Sequence, residues 1–128
     1  MAFFSSSDDT NSDAGEIWNK FAGKNELQTI LAQSKERPQL IYKHSHRCSV
    51  CIMAKEEIES TAEAIKDWAD LHFVNVINQR GISNHVASEL DIRHESPQAI
   101  ILQDGQVTWS GSHWEIKGKD IVDKLTKN

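Results

Sequence analysis

The chain has 128 residues, of which 38% are hydrophobic and 26% are charged, and its formal net charge at pH 7 is −5. This length fits one domain with a single core, and the composition is typical of a soluble globular protein. The acidic balance without a cluster of Lys or Arg argues against nucleic acid as a partner, and the apolar runs are far too short to cross a bilayer.

The N-terminal segment is polar and is expected to lie outside the core. Residues 5–13 contain no apolar side chain, so burial cannot offset the entropy lost on ordering them. We therefore predict a disordered polar tail over residues 1–14 and one folded domain over residues 15–128. The first residues lack the basic and apolar segments of a secretory signal, so a cytoplasmic location is expected. A structural disulfide is disfavoured in that reducing compartment.

The first half of the domain is predicted to form a β-α-β unit. Helical spacing of apolar residues indicates a short helix over residues 25–34, and a buried strand follows over residues 39–43. After the cysteines, apolar residues that would share one face indicate one long helix. These residues are Val50, Ala54, Ile58, Ile65 and Trp68. The nearly continuous apolar run over residues 71–77 is typical of a parallel strand buried on both faces. The sequence leaves open a further strand over residues 17–21.

The second half adds a helix, a hairpin and a last helix. The elements are expected over residues 82–90, 98–102, 107–109 and 121–125, with the pair Asp104-Gly105 as the hairpin turn. Trp68, Trp109 and Trp114 are expected to serve as packing. The order of elements predicts an α/β fold, in which a central mixed sheet of four to five strands has helices on both faces.

Both cysteines lie in Cys48-Ser49-Val50-Cys51, directly after a predicted strand and at the start of a helix. Thiol–disulfide exchange needs a thiolate, and the unpaired N–H groups at a helix N-terminus favour an anion by roughly 0.3–1 kcal/mol. Arg47 places a positive charge next to this position. We therefore predict that Cys48 is the attacking thiolate and that Cys51, one helical turn further on and less exposed, is the resolving thiol.

Two other interpretations of this segment are open. His44 and His46 join the two cysteines within eight residues, and zinc accepts such nitrogen and sulfur ligands in a tetrahedral site. Structural zinc sites, however, usually take their ligands from two separated parts of the chain. In the second interpretation Cys48 and Cys51 are inert, buried packing residues.

Ser96-Pro97 immediately precedes the strand over residues 98–102, and proline is tolerated at the first residue of a strand. The stretch over residues 90–107 resembles the part of thioredoxin-like proteins where a cis-proline faces the redox cysteine. In those proteins the backbone of the preceding residue pairs with the bound peptide. The resemblance implies that Pro97 is cis and that Ser96 docks the substrate.

Residues 43–51 together with residues 94–98 resemble the bacilliredoxin family of the YtxJ general-stress type, within the thioredoxin superfamily. The resemblance implies a thioredoxin-like fold and an enzyme that reverses mixed disulfides between client proteins and bacillithiol, a low-molecular-weight thiol. It implies bacillithiol as co-substrate, no tightly bound cofactor, S-thiolated clients as partners and a disulfide reductase for recycling. The attacking cysteine of the family maps onto Cys48 and its cis-proline onto Pro97. Arg47 and His94 are expected to contact the client or the small thiol.

Two departures accompany the resemblance. Members are commonly described as monothiol proteins with serine at the position of Cys51, so this chain is expected to resolve its own mixed disulfide. Tyr42 stands six residues before Cys48, where thioredoxins keep a buried acidic residue. An exchange enzyme that works with a small thiol is therefore favoured over a general protein-disulfide reductase. A thioredoxin-fold adaptor without turnover is the remaining alternative.

Overall fold

The computed structural model describes residues 17–127, so the predicted tail over residues 1–14 lies outside the described residues. Within that range the order of helices and strands is the predicted one except after the cysteines, where two helices stand in place of one, and the strand that the sequence left open at its start is present as a two-residue strand. Among the described residues, no helix is both long enough and apolar enough to pass through a membrane.

The strands are β1 (Asn19–Lys20), β2 (Gln39–His44), β3 (Asp70–Asn75), β4 (Gln98–Gln103) and β5 (Gln106–Ser112). The helices are α1 (Glu26–Gln33), α2 (Ser49–Ser60), α3 (Ala62–Lys66), α4 (Arg80–Leu90) and α5 (Gly118–Thr126), and a 3₁₀ turn spans His113–Glu115.

The strands form one mixed sheet in the order β1-β3-β2-β4-β5. Strands β1, β3 and β2 run parallel, whereas β4 is antiparallel to both β2 and β5. Lys43, near the carboxyl end of β2, therefore pairs with Val74 of β3 and with Gln98 at the amino end of β4. The loop after β2, which leads to Cys48 and α2, and the loop before β4, which contains Pro97, consequently meet at one end of these strands.

Each face of the sheet has its own core, because alternate strand residues point to opposite faces. One face buries Leu40 and Tyr42 of β2 against α2, α3 and α5. The other face buries Ile41 against α1 and α4. The prediction of helices on both faces of a mixed sheet is confirmed.

The single long helix predicted after the cysteines is wrong, because it ends at Ser60 and α3 follows as a separate helix. At this break the Thr61 hydroxyl donates to the carbonyl of Glu57, at 3.0 Å. Gly118 begins α5 against the same point, where an added Cβ would collide with the side chain of Thr61 and the backbone oxygen of Glu57. A glycine is therefore needed for α5 to approach this closely.

The expectation that three tryptophans serve as packing holds for one of them. Trp109 packs against the core on the α2 side of the sheet. Trp68 follows the end of α3 and is 46% exposed, while Trp114 lies in the 3₁₀ turn and is 60% exposed. Burial of Trp68 was inferred from the long-helix pattern, and that pattern fails once the helix breaks.

Candidate active site

The Cys48 sulfur lies at the amino end of α2. Cys48 is the N-cap residue, with an extended backbone (φ −123°, ψ 121°), and its Sγ accepts a hydrogen bond from the Cys51 backbone N–H at 3.2 Å. The cysteine thus fills the place that Ser, Thr, Asp or Asn usually takes. Cys48 is partly exposed, and the first turn of α2, Ser49–Ile52, carries no charged side chain. The predicted position at a helix start is confirmed, and that position favours an anionic sulfur.

Cys51 is fully buried one turn further along α2. Its Sγ lies 3.5 Å from the Ser96 hydroxyl, and the Cys48 side chain hydrogen-bonds the same thiol. Burial is the largest effect on this thiol and raises the pKa of Cys51 to about 11, while the contact with Ser96 acts in the opposite direction. At neutral pH Cys51 is therefore a protonated thiol held between Cys48 and Ser96.

The loop before β4 contains Ser96 and Pro97 and places Ser96 against Cys51. The Ser96-Pro97 peptide bond is cis, which confirms the conformation that the family resemblance implied. Pro97 is buried, and its carbonyl accepts a hydrogen bond from the His113 backbone N–H at 3.1 Å. The Ser96 hydroxyl reaches Cys51, so the loop and the cysteine motif form one site.

The other two predicted substrate-binding residues belong to the two loops themselves, one to each loop. Arg47 precedes Cys48 and is exposed. His94 is also exposed and stands two residues before Ser96, and its ring contacts the buried Lys43. Cys48, Cys51 and Ser96 therefore come together, with Pro97 next to Ser96 in the chain, while Arg47 and His94 are exposed residues close to them in the sequence.

The four residues of the alternative metal site do not form one cluster. His44 is buried, and its Nδ1 lies 3.1 Å from the hydroxyl of Tyr42, whereas His46 is exposed. Across residues 17–127, no group of three or more His, Cys, Asp or Glu side chains is arranged to hold a metal ion. The geometry gives no support to the zinc interpretation, which metal analysis of protein purified without a histidine tag would test.

Tyr42 holds the backbone of α2 at Cys51. Its hydroxyl donates a hydrogen bond to the backbone carbonyl of Cys51, at 2.8 Å. Burial raises the pKa of Tyr42 far above its ordinary value, and the two cysteines and Glu59 add to this rise. Tyr42 is therefore a neutral hydrogen-bond donor that fixes the backbone of α2, and it does not replace an acidic side chain as a base.

Lys43 is a site residue that the sequence analysis missed. It is fully buried although it carries an amine. Its Nζ donates to the backbone carbonyl of Ser83 at 3.0 Å and lies 3.1 Å from Nδ1 of His94. Burial lowers the pKa of Lys43 to about 8. The signal in the sequence was a lysine directly after the apolar run Leu40-Ile41-Tyr42 of a buried strand, because a buried amine needs hydrogen-bond partners.

Lys43 is expected to make stability rise with pH. Its pKa falls from the ordinary 10.5 to about 8 on folding, so between these values the unfolded chain binds more protons than the folded one. The contribution of this group to the free energy of unfolding therefore increases with pH through that window, at up to about 1.4 kcal/mol per pH unit. In Lys43→Met the increase should vanish. Urea unfolding of both proteins at pH 7.5, 8.5 and 9.5 measures the difference.

The quantity to compare is the free energy of unfolding of Lys43→Met minus that of the wild type. It should fall as pH rises, and the titrations of Cys51 and Tyr42 cancel because both proteins contain them. Lys119→Met, on an exposed position of α5, controls for the loss of a lysine as such. A difference between Lys43→Met and the wild type that stays constant with pH would contradict the assignment.

Comparison with protein families gives a match that spans most of the chain. Residues 19–121 match the family described as monothiol bacilliredoxin BrxC. The matched range contains all five strands, both cysteines and Pro97.

Comparison with solved structures finds proteins of thioredoxin fold. One of them is described provisionally as an oxidoreductase and has a thioredoxin fold. Its TM-score is 0.74 at 20% identity, and the match covers 84% of this chain and 92% of that protein. The thioredoxin of Malassezia sympodialis has a TM-score of 0.66 at 16% identity, and the match covers 89% of this chain and 91% of that thioredoxin. The thioredoxin of Fasciola hepatica has a TM-score of 0.66 at 16% identity, and the match covers 85% of this chain and 97% of that thioredoxin. The prediction of a thioredoxin-like fold is confirmed.

Proposed function

The chain belongs to the monothiol bacilliredoxin BrxC family, and we propose that it is a thiol–disulfide oxidoreductase that removes bacillithiol from mixed disulfides on client proteins. One observation carries the proposal. The partly exposed Cys48 sulfur caps α2, and the buried Cys51 thiol lies beside it. Exchange requires an accessible sulfur where an anion is stabilised, and a second thiol that is protected until it is needed.

In the first step Cys48 attacks the sulfur of bacillithiol in the mixed disulfide. The bond between the client sulfur and the bacillithiol sulfur breaks, and a bond between Cys48 and bacillithiol forms. The client sulfur leaves with the electron pair and takes a proton from water. One disulfide has replaced another, so this step involves no net oxidation.

In the second step Cys51 attacks the Cys48 sulfur after losing its proton. Bacillithiol leaves with the electron pair and takes a proton, and a disulfide between Cys48 and Cys51 remains. Two electrons have then passed from the two cysteines to the client and bacillithiol. A disulfide reductase or another thiol must return two electrons and two protons before the next cycle.

The loop before β4 is proposed to dock the substrate. Pro97 and the backbone of Ser96 would align the disulfide-bearing segment of the client, while Arg47 and His94 would contact the client or the small thiol at the rim. The contact between Ser96 and Cys51 supports this proposal, because it holds the docking loop against the cysteine motif. We also propose a cytoplasmic location, where reducing conditions keep both thiols available.

The function is tested by mixing the reduced protein with a purified client that carries bacillithiol on one cysteine. Without added reductant, we expect a burst of about one client thiol released per molecule of protein, because each molecule carries one pair of electrons. Addition of a disulfide-reducing system should convert the burst into continuous turnover. A metal-binding module or a non-catalytic adaptor would release no client thiol in either condition.

A further inference from the structure

The resolving step requires the Cys51 thiol to lose its proton, because only a thiolate attacks a disulfide. Burial raises the pKa of Cys51 to about 11, so very little of this thiol is ionised at neutral pH. Tyr42, at the position where thioredoxins keep an acidic residue, is a neutral hydrogen-bond donor to the Cys51 backbone carbonyl. Because Cys51 is fully buried, its proton has to leave through a group that contacts the sulfur.

The Ser96 hydroxyl is such a group. Its Oγ lies 3.5 Å from Cys51 Sγ, and Ser96 is partly exposed whereas Cys51 is buried. A hydroxyl has one donor hydrogen and two acceptor lone pairs. The same group can therefore accept the proton of the thiol and afterwards donate a hydrogen bond to the thiolate.

The loop is anchored on both sides of Ser96. On one side Nδ1 of His94 accepts a hydrogen bond from Nζ of the buried Lys43, at 3.1 Å. On the other side the carbonyl of Pro97 accepts the backbone N–H of His113, also at 3.1 Å. The backbone that carries the hydroxyl is therefore fixed before the reaction, and a group that is already in place costs no reorganisation when charge develops.

Cys48 opposes the ionisation of Cys51 only until the first step has taken place. After burial, the hydrogen bond with Cys48 and the negative charge of Cys48 both raise the pKa of Cys51, while Ser96 and the backbone of Ser45 lower it. In the mixed disulfide the Cys48 sulfur carries no charge. The effect of that charge on the Cys51 proton then ends, whereas the Ser96 hydroxyl is still available.

We propose that the Ser96 hydroxyl is a catalytic group of the resolving step, which takes the proton of Cys51 and then hydrogen-bonds the thiolate. As this proton moves to Ser96 Oγ, the hydroxyl proton of Ser96 passes to water. The thiolate attacks Cys48, the bond between Cys48 and the small thiol breaks, and the departing thiolate takes a proton from water. The inference rests on the proposed exchange reaction, in which docking uses only the backbone of Ser96.

The test measures the two steps separately in Ser96→Ala. The reduced protein is mixed at pH 7 with an excess of bis(2-hydroxyethyl) disulfide, and samples are quenched with acid and analysed by intact-protein mass spectrometry. Formation of the mixed disulfide between Cys48 and 2-mercaptoethanol gives the rate of the first step. Its conversion to the disulfide between Cys48 and Cys51 gives the rate of the second.

In Ser96→Ala the second rate should fall about tenfold, since a hydrogen bond to a charged group contributes about one to two factors of ten. The first rate should change by less than about twofold. Ser96→Thr keeps the hydroxyl and should retain the second rate to within about threefold. Ser49→Ala, which removes a serine hydroxyl from the exposed position next to Cys48, is the matched control and should leave both rates unchanged. The melting temperature of each variant checks that it is folded.

An unchanged second rate in Ser96→Ala would overturn the role of the hydroxyl. So would an equal fall in both rates, which indicates a displaced loop, or a second rate in folded Ser96→Thr as low as in Ser96→Ala. A wild type that forms the mixed disulfide but never joins Cys48 to Cys51 would exclude the resolving step and the role of Ser96 in it. If the wild type forms no mixed disulfide, the proposed exchange function itself fails, and the inference fails with it.

Discussion

Replacement of Cys48 by serine should lower the rate of client release by on the order of 10³-fold or more, because the hydroxyl is a far weaker nucleophile than the thiolate and cannot form a disulfide. The substitution is suited to this site. Cys48 accepts the Cys51 N–H as the N-cap of α2, and serine is among the best residues for that role. Cys48→Ser should therefore keep its fold while it loses its chemistry.

The fold of Cys48→Ser can be checked by its melting temperature, which should stay within a few degrees of that of the wild type. Ser49→Ala, at the exposed neighbouring position, is the matched control and should retain exchange. The measurement is the appearance of client thiol after mixing with the bacillithiolated client. Full activity in a folded Cys48→Ser protein would refute the enzyme proposal.

Cys51→Ser should stop the reaction after the first step. Cys48 can still take up the small thiol, and the client is released once, but no second sulfur is available to attack Cys48. Intact-protein mass spectrometry should show the mixed disulfide accumulating to about one per molecule, and continuous turnover with a disulfide reductase should be lost. The wild type should instead accumulate a disulfide between its own cysteines.

This experiment also separates the proposed two-cysteine route from a monothiol route, which is the one that the family description names. In a monothiol mechanism a second molecule of small thiol releases the first from Cys48, so Cys51→Ser would turn over as fast as the wild type when that thiol is in excess. Cys51→Ala controls for the hydroxyl that serine places next to Ser96. Undiminished turnover in both variants would show that Cys51 is not a resolving thiol.

Much of the fold follows from local sequence because the buried strands are strongly marked. The apolar run of β3 and the hairpin of β4 and β5 both lie where their patterns place them, since patterns of this kind depend on which faces are buried. The position of the cysteine motif at the start of a helix was predicted equally well. It was predicted because Val50, Ala54 and Ile58 recur at helical spacing directly after the strand.

The break between α2 and α3 could not be predicted in this way. It depends on a local hydrogen bond of Thr61 and on the close approach of Gly118, which lies far away in the sequence. Apolar periodicity continues across the break, so it gives no warning. Trp68 lies beyond the break, after the end of α3, and is exposed.

The hydrogen-bond partners of polar residues inside the sheet were the other feature that the sequence did not predict. Tyr42 and Lys43 are adjacent in β2 and point to opposite faces, where one reaches the Cys51 carbonyl and the other reaches His94. A strand pattern shows that such residues are buried, but it does not show which partner satisfies them. His94 was singled out because of its nearness to Pro97, whereas the residues that orient it come from β2 and α4.

The central claim is that Cys48, and not Cys51, is the reactive sulfur, and alkylation of the reduced wild-type protein tests it most directly. Brief treatment with iodoacetamide at pH 7, followed by peptide mapping, gives the rate at each cysteine. Because Cys51 is buried and its pKa is raised to about 11, we expect Cys48 to be modified at least about a hundredfold faster. Modification of Cys51 at an equal or greater rate would contradict the account.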